Sequence, residues 1–258
     1  MMGKIVFFDI DGTLLDHEKK LPISTKQAVQ ALKDEGHNVV IATGRAPFLF
    51  EDIREELKIE SYVSFNGQYV VLDGEVIYKN PINEQALKSL SNFANLKEHP
   101  LVFMANEEMK ANVTYHSHID ECLQTLGAIH PEECADYYLE KEIYQSLLFC
   151  KETHENEYAE TFNELNFIRW HSLSMDVIPF RGSKAQGIKQ FIDKVGYQRE
   201  NVYAFGDNLN DIEMLQFVGH GVAMGNAPDV VKNAAKYVTK DVSDDGIVYG
   251  LELVGLLK

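Results

Sequence analysis

The chain has 258 residues, 45% of them apolar, and a formal net charge of −16. That size and apolar fraction allow one large domain or two modest ones with proper cores, and require no disorder. The acidic excess argues against nucleic acid or an anionic membrane as a partner, because both call for a basic footprint. Three cysteines, Cys122, Cys134 and Cys150, include no CxxC pair. They suggest neither a disulfide framework nor a zinc ribbon, and are expected as buried thiols in a reducing compartment. The first residues are too few and too polar for a signal peptide, and no apolar run reaches membrane-spanning length, so a cytoplasmic protein is expected.

The first predicted strand is Ile5-Val6-Phe7-Phe8-Asp9-Ile10, an apolar run interrupted by one acid, which suits a strand buried on both faces of a parallel sheet. Asp9 and Asp11 fall where that strand ends. Two apart in extended backbone, their side chains share one side, and Gly12 lets the chain turn away behind them. Paired carboxylates repel unless a cation lies between them, which points to a divalent metal. Two acids alone fit a solvated strand end equally well, so the remaining chain has to decide.

Ser24-Thr25-Lys26-Gln27 reads as a capping box opening a helix that closes at Glu35-Gly36. Asn38 to Ala42 is the next buried strand, ending in Thr43-Gly44-Arg45, with a helix from Phe48 to Leu57 beginning near Pro47. A strand, a glycine turn and a helix start can offer backbone N–H groups to an anion. Tyr62 to Phe65 follows as a strand, then Asn66-Gly67, then a hairpin of Gln68–Leu72 and Glu75–Tyr78 around Asp73-Gly74.

From about Pro81 to about Gly182 strict alternation gives way to a mixed order. Helices are predicted over Glu84–Leu96, Ile119–Leu126 and Asn156–Leu165, and strands over Leu101–Met104, Ala111–Tyr115, Gln145–Cys150, Phe167–Trp170 and Ser174–Ile178. Such a mixture suggests an antiparallel sheet with helices on one face. Residues 81–182 are therefore expected as an inserted α+β domain within an α/β core formed by residues 1–80 and 183–258.

The parallel pattern resumes at Ser183, an expected N-cap, with Lys184 in the first turn of a helix reaching Val195. A lysine there opposes the helix dipole, which suits an anion-binding role better than local stability. Strand Val202–Phe205 runs into Gly206-Asp207-Asn208-Leu209-Asn210-Asp211, followed by a helix from Ile212 to Val218. A strand and turn (Gly221–Asn226), a helix (Ala227–Ala235), a short strand (Tyr237–Thr239) and a closing helix (Gly246–Leu257) complete the chain. In a doubly wound parallel sheet all carboxyl ends of strands face one edge, where ligands bind. Asp9, Asp11, Thr43, Asp207, Asn210 and Asp211 all follow strands, and Lys184 could reach the same edge. These groups suit one task, holding a divalent metal and a phosphoryl group together.

Asp9-Ile10-Asp11-Gly12-Thr13-Leu14, Thr43-Gly44-Arg45, Lys184 and Gly206-Asp207-Asn208-Leu209-Asn210-Asp211, in that order, resemble the four motifs of the haloacid dehalogenase superfamily. The insert between the second and third motifs resembles the large α/β cap of its Cof-type phosphatases. The resemblance spans the chain and implies a doubly wound Rossmann-like core with an α+β cap. It implies Asp9 as nucleophile, forming an aspartyl-phosphate, and Asp11 as general acid and then base. Mg2+ would be held by the Asp9 and Asp207 carboxylates and the Asp11 backbone carbonyl. Ile10, Thr43, Gly44, Lys184 and Asn210 would contact the phosphoryl group, Asn210 alternatively orienting Lys184. Asp211 would sit behind them, fixing a metal-bound water or that lysine. A small phosphorylated metabolite is the expected partner, a sugar phosphate foremost, acted on by a monomer or weak homodimer. A phosphomutase of the same superfamily and a non-catalytic, receiver-like phosphate-binding module are the alternatives.

Other residues have plainer readings. His116-Ser117-His118 starts a predicted helix without a third ligand, so the histidines are read as solvated or substrate-facing rather than as a metal pair. Arg45 is read as a cap contact, a substrate contact or a structural ion pair. Asn66-Gly67 is read as a turn, with a hinge or a leaving-group contact as the alternative. Asp241, Asp244 and Asp245 are read as caps of the final helix. Trp170, Phe103 and Met104 are read as core of the insert.

Overall fold

The structure, a computed structural model, describes residues 3–257. Its elements begin with β1 (Ile5–Phe8), α1 (Ile23–Asp34), β2 (Asn38–Ala42), α2 (Glu51–Leu57), β3 (Tyr62–Ser64), β4 (Tyr69–Leu72) and β5 (Glu75–Lys79). There follow α3 (Glu84–Leu96), β6 (Leu101–Met104), β7 (Met109–Ala111), α4 (Ser117–Gln124), β8 (Gln145–Leu148), α5 (Glu155–Thr161), β9 (Leu165–His171) and β10 (Ser174–Pro179). The chain continues with α6 (Lys184–Val195), β11 (Val202–Gly206), α7 (Ile212–Phe217), β12 (His220–Ala223), α8 (Asp229–Ala234), β13 (Tyr237–Val238) and α9 (Gly246–Leu253).

The chain divides into two compact units. One comprises the described residues up to Gly44, Asp52–Tyr78 and those from Ser183 onward; the other is Arg45–Glu51 with Lys79–Gly182. The first is built on an eight-stranded sheet in the order β13-β12-β11-β1-β2-β3-β4-β5. Its six strands from β13 to β3 are parallel, and β4 runs antiparallel to β3. This is the doubly wound α/β core. Helices α1 and α9 pack together, as do α6, α7 and α8.

Strand β1 sits between β11 and β2, and all four of its residues are fully buried. Ile5 and Phe7 pack with α6, where Phe7 meets Phe191 edge-on at 5.6 Å, while Phe8 stacks on Phe205 at 5.0 Å. Branched and aromatic side chains fit a pleated surface covered on both sides. Truncating one of them, as in Phe7→Ala, costs about 3–5 kcal/mol.

The second unit holds a five-stranded antiparallel sheet in the order β7-β6-β8-β10-β9. One face carries Leu101, Phe103, Leu148, Met175 and Val177, which join Ala86, Leu87 and Leu90 of α3 and Tyr158 of α5 in a single core. The α+β character expected of the insert is the one observed.

Several local expectations are corrected. The Ser24 capping box does not form: α1 starts two residues earlier, with Pro22 at the N-cap and no side-chain cap. The helix expected over Phe48–Leu57 is broken at Phe50 (φ −148), which separates a 3-10 turn over Pro47–Leu49 from α2. Residues 45–51 accordingly group with the second unit instead of the core. Strand β7 lies two residues earlier than expected and ends at Ala111: the Asn112 N–H still donates to Leu101 O at 2.9 Å, but its side chain, in place of its carbonyl, accepts from the Leu101 N–H at 2.7 Å. Trp170 is only partly buried and lies outside the core cluster. It sits where the register of β9 shifts, between the pairs Arg169–Met175 and His171–Ser174, and so is left out of the ladder. In the β4–β5 hairpin, Asp73 (φ 49) and Gly74 (φ 81) take the left-handed pair that a tight two-residue turn requires. Cys122, Cys134 and Cys150 are all free thiols, and no helix among the described residues is long and apolar enough to cross a membrane.

Candidate active site

Three neighbouring strands of the core deliver their next residue to one edge. Asp9 follows β1 and continues the ladder, its N–H donating to the Phe205 carbonyl at 3.0 Å; Asp207 follows β11 directly. Thr43 follows β2, its N–H donating to Val63 O at 2.8 Å. Asp9 and Thr43 are buried, at 6% and 1% exposure.

Lys184 opens α6 and is 1% exposed. Its ammonium donates to Asp9 Oδ1 and to Asp211 Oδ1, both at 2.6 Å. Ser183 occupies the N-cap position, as expected, but its hydroxyl makes no cap hydrogen bond. A buried ammonium without partners would be untenable, so the two carboxylates explain how a lysine can begin this helix. Burial would lower the Lys184 pKa, but the charges of Asp211 and Asp9 outweigh it and hold the amine above its ordinary range.

Asp211 is completely buried. Its Oδ2 accepts from the backbone N–H groups of Asp207 and Asn208, each at 3.0 Å, so that it shapes the turn as well as gripping the lysine. Of the two roles expected for Asp211, the contact with Lys184 is the one observed. Asn210 points elsewhere: its amide donates to Asn66 Oδ1 at 3.0 Å and does not orient Lys184.

The Asp207 carboxylate is held from two sides. Thr13 Oγ1 donates to its Oδ1 at 3.2 Å, and Asn226 Nδ2 lies 3.2 Å from its Oδ2. Asn226 also donates to Gly12 O at 2.8 Å and accepts from the Val242 N–H at 3.1 Å. Gly12 has φ +76, and a Cβ there would lie 2.4 Å from Asp207 Oδ2. The glycine therefore serves both the turn and the close approach of a carboxylate.

Carboxylate oxygens of Asp9, Asp207 and Asp211 all lie within 4.8 Å of one another. Three acids facing one lysine leave an excess of two negative charges. Burial raises the Asp9 carboxyl well above its ordinary pKa, with Asp211, Asp207 and Asp11 adding to the rise and Lys184 opposing it. Burial, then the Asp211 charge, pushes Asp207 up to about 7, against Lys184 and the Thr13 hydrogen bond. Hard oxygen donors, a charge deficit of two and a cradle shaped by Gly12 fit a divalent cation such as Mg2+.

Asp11 lies apart from those three. Its carboxylate is 31% exposed and pairs with Lys19 Nζ at 2.6 Å. Lys19 stands at φ 61 in a tight loop where Asp16 Oδ1 accepts from the N–H groups of Glu18 and Lys20, at 2.8 and 2.9 Å. The Ile10 side chain is fully buried, and its carbonyl accepts from Leu15 N at 2.8 Å, so only its N–H could serve a phosphoryl oxygen. Gly44 lies against the Asn66 side chain.

Asn226, Thr13 and Lys19 belong to the site without being among its expected residues. Asn226 follows a strand as Asp9 and Asp207 do, and that placement was the available signal. His116, in contrast, is an N-cap, its Nδ1 accepting from the His118 N–H at 3.2 Å. Among the described residues the only group of three or more His, Cys, Asp or Glu placed to share a metal is Asp9, Asp207 and Asp211. Asp241 caps a short turn through Ser243 N at 2.9 Å and meets His17 Nε2 at 3.1 Å.

A family model of haloacid dehalogenase-like hydrolases matches residues 6–251. A protein of Bacillus subtilis (strain 168) named "Putative phosphatase YkrA" is 49% identical over 258 residues, 100% of both chains. A solved structure from Geobacillus kaustophilus HTA426 is 53% identical, with a TM-score of 0.92 over 99% of this chain and 100% of that one. The structure of BT4131, described as a HAD subclass IIB sugar phosphatase, is 31% identical with a TM-score of 0.90, covering 98% of this chain and 100% of that one. With the strand-end acids, the buried lysine and these full-length matches together, the chain belongs to the haloacid dehalogenase-like hydrolase family, among its phosphatases.

Proposed function

We propose that the protein is a Mg2+-dependent phosphatase that hydrolyses a small phosphorylated metabolite through an aspartyl-phosphate on Asp9. The observation that carries this reading is the convergence of Asp9, Lys184 and Asp207: a 2.6 Å ion pair, with a second carboxylate near enough to share one cation. Asp9, Asp207 and the Asp11 backbone carbonyl would hold Mg2+, which when bound neutralises charge on the phosphoryl oxygens.

Lys184 holds one Asp9 oxygen and so fixes the plane of the carboxylate that attacks phosphorus. An ammonium has three protons, and two are directed at Asp9 and Asp211. The third is available to a phosphoryl oxygen, to which the Thr43 hydroxyl and the N–H groups of Ile10 and Gly44 would also donate in this reading. The attack forms the Asp9 Oδ–P bond and breaks the bond from phosphorus to the leaving oxygen, which takes a proton from the Asp11 carboxyl. Asp11, now a carboxylate, removes a proton from the water that attacks phosphorus in the second step. The Oδ–P bond breaks, inorganic phosphate leaves, and the Asp9 carboxylate is restored.

The insert of residues 81–182 acts in this reading as a cap that selects the leaving group. A sugar phosphate is the class favoured, supported by the 31% identical neighbour described as a sugar phosphatase. The net charge of −16 favours a small substrate over nucleic acid or a membrane surface, and the enzyme works in the cytoplasm as a monomer or weak homodimer. Phosphate release from an aryl phosphate tests the reading. Release is expected with magnesium, not with EDTA, and not from Asp9→Asn; an Asp9→Asn variant with full activity would overturn it.

A further inference from the structure

Between β3 and β4 the chain passes through three consecutive residues of positive φ: Phe65 (50), Asn66 (50) and Gly67 (97). A glycine adopts that region freely, but an aromatic residue does so only under constraint from its surroundings. Phe65 and Asn66 are also buried, at 0% and 1% exposure. A chain reversal between two strands needs neither an aromatic in the left-handed region nor a buried amide.

What holds the segment is the phosphate-binding side of the core. The Asn66 N–H donates to Thr43 O at 3.1 Å, and Asn66 Oδ1 accepts from Asn210 Nδ2 at 3.0 Å. Gln68 Nε2 donates to Asn66 O at 2.9 Å, pinning the peptide from behind. The Asn66 amide lies so near Gly44 that a Cβ there would stand 3.0 Å from Nδ2 and 3.1 Å from Oδ1. A Cβ on Gly67 would fall 2.1 Å from Ser183 O, and one on Gly187 would fall 2.7 Å from Gly67 Cα. The segment thus abuts the turn after β2, the start of the helix that carries Lys184, and the loop after β11.

We infer that Asn66 is a positioning residue for phosphoryl binding: its left-handed backbone and its amide lock Thr43-Gly44 and Asn210 into one rigid cradle. This rests on the phosphatase reading and extends it to a residue outside the four motifs. A plain turn would need only the backbone shape, which glycine supplies as well as asparagine; a positioning residue needs the amide too. Asn66→Gly separates the two, because it keeps the left-handed backbone and removes the side chain.

The test is a double-mutant cycle of Asn66→Gly and Asn210→Ala in the full chain with magnesium. Inorganic phosphate binding is read by calorimetry, kcat and KM with an aryl phosphate, and unfolding temperature in parallel. Asn66→Gly is expected to fold, with its unfolding temperature lowered by about 2–6 °C. Its Kd for inorganic phosphate is expected to rise about tenfold, the effect of one lost buried hydrogen bond. Adding Asn210→Ala to it should weaken binding little further, because the two amides act as one unit. Wild-type affinity and turnover in Asn66→Gly, or strictly additive losses in the cycle, would overturn the inference alone. Wild-type protein that neither binds phosphate nor releases it would overturn the phosphatase reading as well.

Discussion

Replacing Lys184 by methionine tests the electrostatics of the site most severely. The ammonium is 1% exposed and lies 2.6 Å from each of two carboxylates, whose side chains are 8% and 0% exposed. Methionine keeps most of the volume, so the perturbation is the loss of charge and of two charge-assisted hydrogen bonds. Breaking a buried ion pair by removing one partner costs about 3–5 kcal/mol, since the orphaned charge stays in the low-dielectric interior. Here the orphaned acids have an escape. The Asp9 carboxyl, already raised by burial, can take up a proton, which limits the loss to about 3 kcal/mol at neutral pH, or about 6–12 °C in Tm for a protein of this size. The sign with pH follows. In the variant the folded state binds more protons than the unfolded one between the ordinary carboxylate range and the raised values. Its stability therefore falls as pH rises, and the deficit against wild type shrinks on acidification. Thermal unfolding of both proteins in EDTA at pH 5 and pH 8 measures this directly. A deficit below about 2 °C at pH 8, or one equally large at both pH values, would refute the reasoning. Turnover should fall by about 10²–10³ with magnesium present, as for loss of one preorganised donor to a developing charge.

Metal-free Asp207→Asn should unfold at a higher temperature than wild type at pH 8, by a margin that shrinks at pH 5. The wild-type carboxyl is pushed up to about 7, so its ionisation destabilises the fold as pH rises from its ordinary value through that point. A pH-independent difference in unfolding temperature would contradict this. Gly12→Ala places a Cβ 2.4 Å from Asp207 Oδ2 and should weaken Mg2+ binding about 10–100-fold, read by calorimetry; unchanged affinity would show that the turn does not shape the cation site. Asp11→Asn should cut steady-state turnover of an aryl phosphate about 10²–10⁴-fold while still giving a burst of the aryl alcohol, because a good leaving group needs little acid assistance but water needs a base. Absence of a burst, or near-normal turnover, would remove Asp11 from the second step.

The framework of the core was legible because its cues are local. Runs such as Ile5–Phe8 and Asn38–Ala42 identify buried parallel strands, and the rule that ligands bind at strand carboxyl ends then groups Asp9, Thr43 and Asp207 without knowledge of contacts. The mixed order of helices and strands in the insert pointed to its antiparallel sheet, again without knowledge of contacts. Illegible features depend on partners distant in sequence. Asn226 steadies Asp207 together with Gly12, 214 positions away, and its place after a strand is too weak a cue by itself to single it out. Lys19 reaches Asp11 only because Asp16 folds the intervening loop. The failed capping box at Ser24 shows a local rule that does not hold here, since the helix already runs from Ile23 with an extended Pro22 before it. Asn66 could be read as a turn, but its contact with Asn210 spans 144 positions and appears only when the strands are assembled.

The central claim is that the Asp9 carboxylate itself attacks phosphorus. Wild-type enzyme mixed with substrate and magnesium, quenched in acid within one turnover and treated with borohydride, reports this by peptide mass spectrometry. An acyl phosphate is reduced at its carbonyl with release of inorganic phosphate, which converts an aspartyl side chain to the corresponding alcohol. The account predicts that alcohol at position 9 and nowhere else. Reduction at Asp11 or Asp207, or no reduced residue in enzyme quenched during active turnover, would contradict it.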